Sequence, residues 1–435
     1  MSVVPVPAAL LVADPLGSTL GLLALMWLAA KLGGEAALRL KLPPVAGELG
    51  MGLVFAALTR TFPGLPDVTH SQAAGLLASL GVVVLMFAVG LESTVPQMLK
   101  VGAASLRVAV IGVVAPMAAG LAGAWLLLPD STPLAVDLFI GACLCATSIG
   151  ISASVLKGAG AARSPEGRVI VGAAVLDDIL GLLVLVLVSG IVTGVVPERG
   201  GGGALPWGAL GKTFTLALGF LGAALTLGRF ATPHLFALAN RLRSEQVLLP
   251  VGLGFAFLLA WLGNLAGLAP IVGAYAAGLI LEPAHIKDLE ARELHSLEEL
   301  VHPLVVTLAP LFFLLMGAKV DPVALVQPRT LLLGGVLALM GIAGKYVAGF
   351  GGGKGLRAAV IGWGMVPRGE VGLIFVAAGA GLTLDGAPLL GPEVQAGVVA
   401  ALLLTTLAGP VGLAWVLKRK PAAAAAAETD AGVEG

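Results

Sequence analysis

The sequence predicts an all-α membrane protein of thirteen transmembrane helices in an inverted 6+1+6 repeat, with two broken, crossing helices in its core. Three observations carry this. The 435 residues are 58% hydrophobic and only 11% charged, far too little charge to cover a soluble surface of this size. Apolar runs of the ~20 residues needed to cross ~30 Å of hydrocarbon recur along nearly the whole chain and leave no room for a sizeable soluble domain. The basic residues also crowd into alternate loops, as the loops of a multi-pass protein do.

Turn residues and charges separate the spans at roughly 16–38, 44–60, 71–91, 101–128, 134–156, 168–195, 207–228, 246–262, 265–282, 302–318, 329–350, 356–380 and 393–417. Their glycine- and alanine-rich text suits helices that pack closely without a hydrophobic driving force. Met1 to Asp14 is expected to be a short tail. The run from Leu16 is followed directly by another span and has no basic leader, so no removable signal peptide is expected. Cys143 and Cys145 lie inside one apolar run and cannot easily pair at that spacing, so neither a disulfide framework nor a metal site is indicated.

Orientation follows from the 25 Lys and Arg residues. Arg60, Arg199, Lys212, Lys319 and Arg329 fall in one set of loops and Lys31, Lys345 and Arg368 within spans, which leaves seventeen in the other set. The richer side is cytoplasmic, which places the N-terminus outside and the C-terminus inside.

An odd linker span between two sets of six makes the second set start from the opposite side, the plan of an inverted repeat. The third span ends in Leu85-Met86-Phe87-Ala88-Val89-Gly90-Leu91-Glu92 and the tenth in Leu311-Phe312-Phe313-Leu314-Leu315-Met316-Gly317-Ala318-Lys319, a weak echo at matching positions. The fifth span of each half is interrupted, one by Ala146-Thr147-Ser148-Ile149-Gly150-Ile151-Ser152 and the other by Gly362 to Glu370, which holds three glycines, Pro367, Arg368 and Glu370. Non-helical backbone at membrane depth is tolerated only where it lines a cavity or is buried in protein, so paired interruptions point to a substrate site near the midplane.

The sixth span carries Asp177 and Asp178 in otherwise apolar text. Asp178 lies ten residues beyond Arg168 at the inner edge, about 15 Å into the bilayer at ~1.5 Å per residue. A carboxylate there costs ~2.5–3.5 kcal/mol on insertion scales and is expected to work. Neighbouring helix residues point about 100° apart, so one acid can face a cavity while the other faces a partner. Lys345 and Arg368 are the intramembrane cations. Lys345 either neutralises an acid or, lying within a turn or two of its span's end, snorkels to the surface. An acid at the midplane can take up and release a proton, and its ionised form is a hard oxygen ligand for a small cation. Backbone carbonyls and the hydroxyls of Thr147, Ser148 or Ser152 are candidates to complete the shell. Competition between proton and cation for one alternately exposed site is all that antiport requires.

At these residues the chain resembles the monovalent cation:proton antiporter-2 family, and within it the bacterial NapA-type sodium/proton antiporters. The matching stretches are Ala146 to Ser152, Gly172 to Asp178, Gly344-Lys345, and Gly364 to Gly372. The resemblance implies that Asp178 carries the ion and proton and that Asp177 bridges Lys345. It also implies a homodimer in which a core domain moves against a static dimer domain. By position, 1–100 and 246–328 would form the dimer domain, 101–195 and 329–418 the core, 196–245 the linker helix with its flanking loops, and 419–435 a disordered tail. Two adjacent acids resemble the electrogenic branch of the family.

The expected function is therefore secondary active sodium (or lithium)/proton antiport in a bacterial inner membrane, with Na+ held at Asp178 and Asp177. Potassium/proton antiport and sodium-coupled symport are the alternatives. Partners are expected to be lipid, small inorganic cations and a second copy of the chain, with no cofactor and no nucleic acid. An intramembrane aspartyl protease needs its acids on different helices, and a prenyl transferase needs them spaced for magnesium pyrophosphate, so adjacent acids suit neither enzyme. The stretch Pro283–His302, with five acids, His285, His295, His302 and spaced leucines, is expected to form a cytoplasmic surface helix.

Overall fold

The computed structural model describes residues 15–40, 42–62, 68–92, 102–193, 207–242, 246–266, 269–281, 290, 294–384 and 386–418. The apolar runs are helices throughout. In the first half these are α1 (Pro15–Arg39), α2 (Pro44–Thr61), α3 (Gln72–Glu92), α4 (Ala103–Leu127), α5 (Leu134–Cys143), α6 (Ile149–Gly158) and α7 (Pro165–Thr193). Then come α8 (Trp207–Asn240), α9 (Leu248–Leu265), α10 (Pro270–Ile280) and α11 (Leu297–Ala318). The chain ends with α12 (Pro328–Ala348), α13 (Ala358–Met365), α14 (Glu370–Ala380) and α15 (Pro392–Lys418). Prolines open α2, α10 and α12, where a missing N–H removes no helical hydrogen bond.

Among the described residues eight helices are long and apolar enough to cross a membrane: α1, α3, α4, α7, α9, α11, α12 and α15. The protein is thus mostly helical and multi-pass. The fifth span of each half is two short helices, α5 with α6 and α13 with α14, because glycine, proline and hydroxyl residues interrupt the run. The expected span 265–282 contains only the 11-residue α10, about 16 Å long at ~1.5 Å per residue. Every residue from Ile271 to Ile280 is buried, so protein rather than lipid surrounds this short helix.

Two further boundaries differ from the sequence expectation. Helix α8 runs on to Asn240. Helix α11 starts at Leu297, before 302, because Ser296 and Glu299 form a reciprocal capping box there. The rest of the expected surface helix falls on 282–289 and 291–293, outside the described residues, as do the two tails at 1–14 and 419–435. A small hairpin, Thr383–Leu384 against Ala387–Pro388, turns through Gly386 at φ +80°.

The helices pack as two bundles. One contains α1, α2, α3, α9, α10 and α11, and the other contains α4 to α7 with α12 to α15, while α8 leans on α7 and α10. Contacts recur in matching pairs: α1 on α2 and α9 on α10, α3 on α10 and α11 on α2, α4 on α7 and α12 on α15. The counterparts α3 and α11 also pack on each other, as do α4 and α12.

The α4–α12 contact is backbone against backbone at Gly344. A Cβ added there would lie 2.5 Å from Pro116 Cα and 2.6 Å from Pro116 N, with no flexible atom to yield. Gly344→Ala is expected to force the two helices apart and lower stability by ~1–3 kcal/mol. A melting temperature equal to wild type in detergent would show the contact to be looser than this.

Candidate functional site

The site is assembled by α7, α12 and the two interrupted helices. Asp177 on α7 accepts a hydrogen bond at Oδ1 from Lys345 Nζ at 2.7 Å, and both side chains are 0% exposed. Lys345 sits in the last turn of α12, where the helix dipole favours a cation. Its complete burial rules out snorkelling. Helix α4 packs on both α7 and α12, and its Gly112 lies beside the pair at ordinary contact distance. A Cβ there would stand 3.6 Å from Lys345 Nζ and 3.7 Å from Asp177 Oδ1.

Asp177 Oδ2 is buried and accepts no hydrogen bond. Thr147 is close enough to interact with this carboxylate, but its hydroxyl donates to the Met365 carbonyl at 3.0 Å. Asp178, the next residue along α7, retains 5% exposure. The two acids therefore occupy different surroundings, as the 100° rotation between neighbours requires.

The breaks in the two interrupted helices cross and satisfy one another. Leu144–Ser148 is the non-helical stretch of the first, and Val366–Gly369 that of the second. Ser148 N–H donates to Pro367 O at 2.8 Å, and Ser152 Oγ donates to Gly364 O at 2.6 Å. Arg368 Nη1 donates to Ala146 O at 2.8 Å, and its Nη2 to Gly341 O at 3.4 Å on α12, one turn before Lys345. Thr406 on α15 donates to Arg368 O. Unpaired backbone groups in lipid would cost several kcal/mol each, and here each break supplies partners for the other. Gly369 is required by this closeness, since a Cβ there would fall 2.7 Å from Ser148 Oγ.

Most of the sequence-singled residues are thus brought together. Asp177, Asp178, Lys345, Thr147, Ser148 and Arg368 are all buried around one centre. Arg368 donates to backbone carbonyls, and of Arg368 and Lys345 it is Lys345 that forms an ion pair with an acid among the described residues. Glu370 opens α14, but its side chain is outside the described residues. Three participants escaped the sequence reading. The carbonyls of Ala146 and Gly341 carry no sequence signal at all. Thr406 does, since Thr405-Thr406 is a polar pair inside an apolar span. Asp137, 0% exposed in the first turn of α5, is a further buried acid visible by the rule that found Asp177.

A multi-pass bundle with two crossed helix breaks and a buried acid–lysine pair is the layout of a membrane transporter, not of an enzyme. The chain belongs to the sodium/hydrogen exchanger family of monovalent cation:proton antiporters, whose transmembrane region matches residues 22–419. It is 36% identical over 425 residues to the high-affinity Na+/H+ antiporter NhaS3 of Synechocystis, covering 89% of this chain and 87% of that protein. It is 29% identical to the Na+/H+-K+ antiporter GerN of Bacillus cereus, covering 92% and 96%. Among solved structures, the sodium proton antiporter MjNhaP1 of Methanocaldococcus jannaschii has the same fold, with a TM-score of 0.65 at 16% identity, covering 92% of this chain and 96% of that one.

Proposed function

We propose that this protein is a secondary active, electrogenic sodium (or lithium)/proton antiporter in which cation and proton compete for Asp178. The observation that carries the reading is the unequal treatment of adjacent acids. Lys345 neutralises Asp177, while Asp178, the next residue along α7, is not its hydrogen-bond partner and is 5% exposed. The cation is substrate, and Asp178, Asp177 Oδ2 and the hydroxyl oxygens of Thr147 and Ser148 are its proposed oxygen ligands. A proton on Asp178 removes the charge that holds the cation, and this makes the exchange obligatory.

The 6+1+6 arrangement of thirteen crossings is supported by the paired helix contacts, with α8 as the odd linker. The α4–α7 and α12–α15 bundle is then the moving core. The α1–α3 and α9–α11 bundle is the static part through which two copies associate. Breaks whose polar groups find partners within the same bundle let the core move as one body without exposing backbone to lipid. The N-terminus lies outside and the C-terminus in the cytoplasm, on the excess of basic residues in the inner loops. Potassium as an alternative cation is supported by the likeness to GerN, whose name includes it.

Purified protein in proteoliposomes tests this. Sodium or lithium gradients are expected to drive proton movement in the opposite direction and to generate a membrane potential. Cation flux without proton coupling would refute antiport, and a side-by-side screen with potassium ranks the cations.

A further inference from the structure

A cavity of about 960 Å³ opens between the two bundles at the end of the protein that carries Arg60 and Lys319. It is lined from one bundle by α2, α3, α10 and α11 and from the other by α14 and α15. Its floor on α14 includes Ile374 and Ala377. On another face of α14, Phe375 packs 3.6 Å from the Cβ position of Gly181, one turn along α7 from Asp178. Helix α14 therefore stands between the cavity and the acid pair, and the bundles must shift before a cation in the cavity meets Asp178.

One ion pair spans the mouth. Arg60 Nη1 on α2 lies 2.7 Å from Asp321 Oδ1. Asp321 also caps the short helix Pro322–Leu325, accepting from Val323 N–H at 2.8 Å. That helix packs on α12 and α15 of one bundle and touches α2 of the other. Asp321 is the only carboxylate among the described residues lining the cavity, whose other charges are Arg60 and Lys319. Slight burial works against its ionisation, but the Val323 N–H, the Arg60 guanidinium and the Ala324 N–H hold it below the usual carboxylate range. The pair is charged at neutral pH.

We propose that Arg60 and Asp321 are positioning residues for the exchange, forming a latch between the bundles that opens and reforms in each transport cycle. While closed it keeps the cavity's carboxylate covered by a guanidinium, so the mouth does not attract cations until the bundles move. The inference rests on the antiport reading above.

The test uses full-length protein with cysteines at 60 and 321, reconstituted and bridged by a short bifunctional methanethiosulfonate. The native thiols of Cys143 and Cys145 are buried and do not compete. Bridging is expected to stop exchange and reduction to restore it, with each single-cysteine variant unaffected by the reagent. An active wild type with an equally active bridged protein overturns the latch alone. A wild type without cation-driven proton movement overturns antiport and the latch together. Independently of the bridge, Arg60→Gln is expected to change the apparent cation affinity about two- to fivefold, the range an exposed ion pair supports, and Arg60→Lys to preserve it. Equal behaviour of Gln and Lys at position 60 would also overturn the latch.

Discussion

Asparagine in place of Asp178 is expected to abolish cation/proton exchange in proteoliposomes while leaving the protein folded. The substitution keeps the shape and most of the hydrogen-bonding capacity of the side chain but cannot take up a proton or balance a cation's charge. Asp178 is 5% exposed, so a neutral amide there is no worse buried than the acid. Asp177→Asn makes the contrast. It removes the partner of a fully buried lysine, and its first effect is expected on stability. Wild-type exchange by the Asp178→Asn protein would remove Asp178 as the carrier, whatever the cation.

The second large effect is expected at Lys345. Replacing it by methionine keeps the aliphatic stem but leaves the Asp177 carboxylate uncompensated at 0% exposure. Breaking a buried pair by removing one member costs ~3–5 kcal/mol, whereas replacing both members by neutral groups of similar volume is near neutral. Lys345→Met alone should therefore melt well below wild type, and Lys345→Met combined with Asp177→Asn should recover most of the loss. Coupling is expected to change as well, because Asp177 without its lysine becomes a second acid able to bind a proton. A single variant as stable as wild type, with unchanged coupling, would show that the ion pair contributes neither to stability nor to exchange.

Much of the site was legible because lipid makes polar residues expensive. Asp177-Asp178, Lys345 and Arg368 each stand out as charges inside apolar runs, and an apolar solvent gives a sequence few reasons to keep such residues. The breaks were legible for the same reason, since Thr147-Ser148 and Pro367 interrupt runs that would otherwise read as continuous helices. Which cation meets which acid was not legible. Lys345 and Arg368 looked equivalent from the chain, and Lys345 near its helix end was equally suited to snorkelling. The resemblance to a known family supplied the pairing that spacing left open. The Arg60–Asp321 ion pair was invisible altogether, because its members are ordinary charges 261 positions apart until the fold brings them to 2.7 Å.

By itself the sequence determined that this chain lives in a membrane, where its helices run, where two of them break, and that two adjacent acids stand inside an apolar run. These depend on transfer free energies and local backbone preferences, which each residue brings with it. Only the tertiary structure decided that Lys345 is fully buried and does not snorkel, that Arg368 donates to the carbonyls of Ala146 and Gly341, and that α10 can be too short to span. Those outcomes depend on how close two helices approach at residues such as Gly344 and Gly369. That distance is a property of the packed bundle and of no single segment.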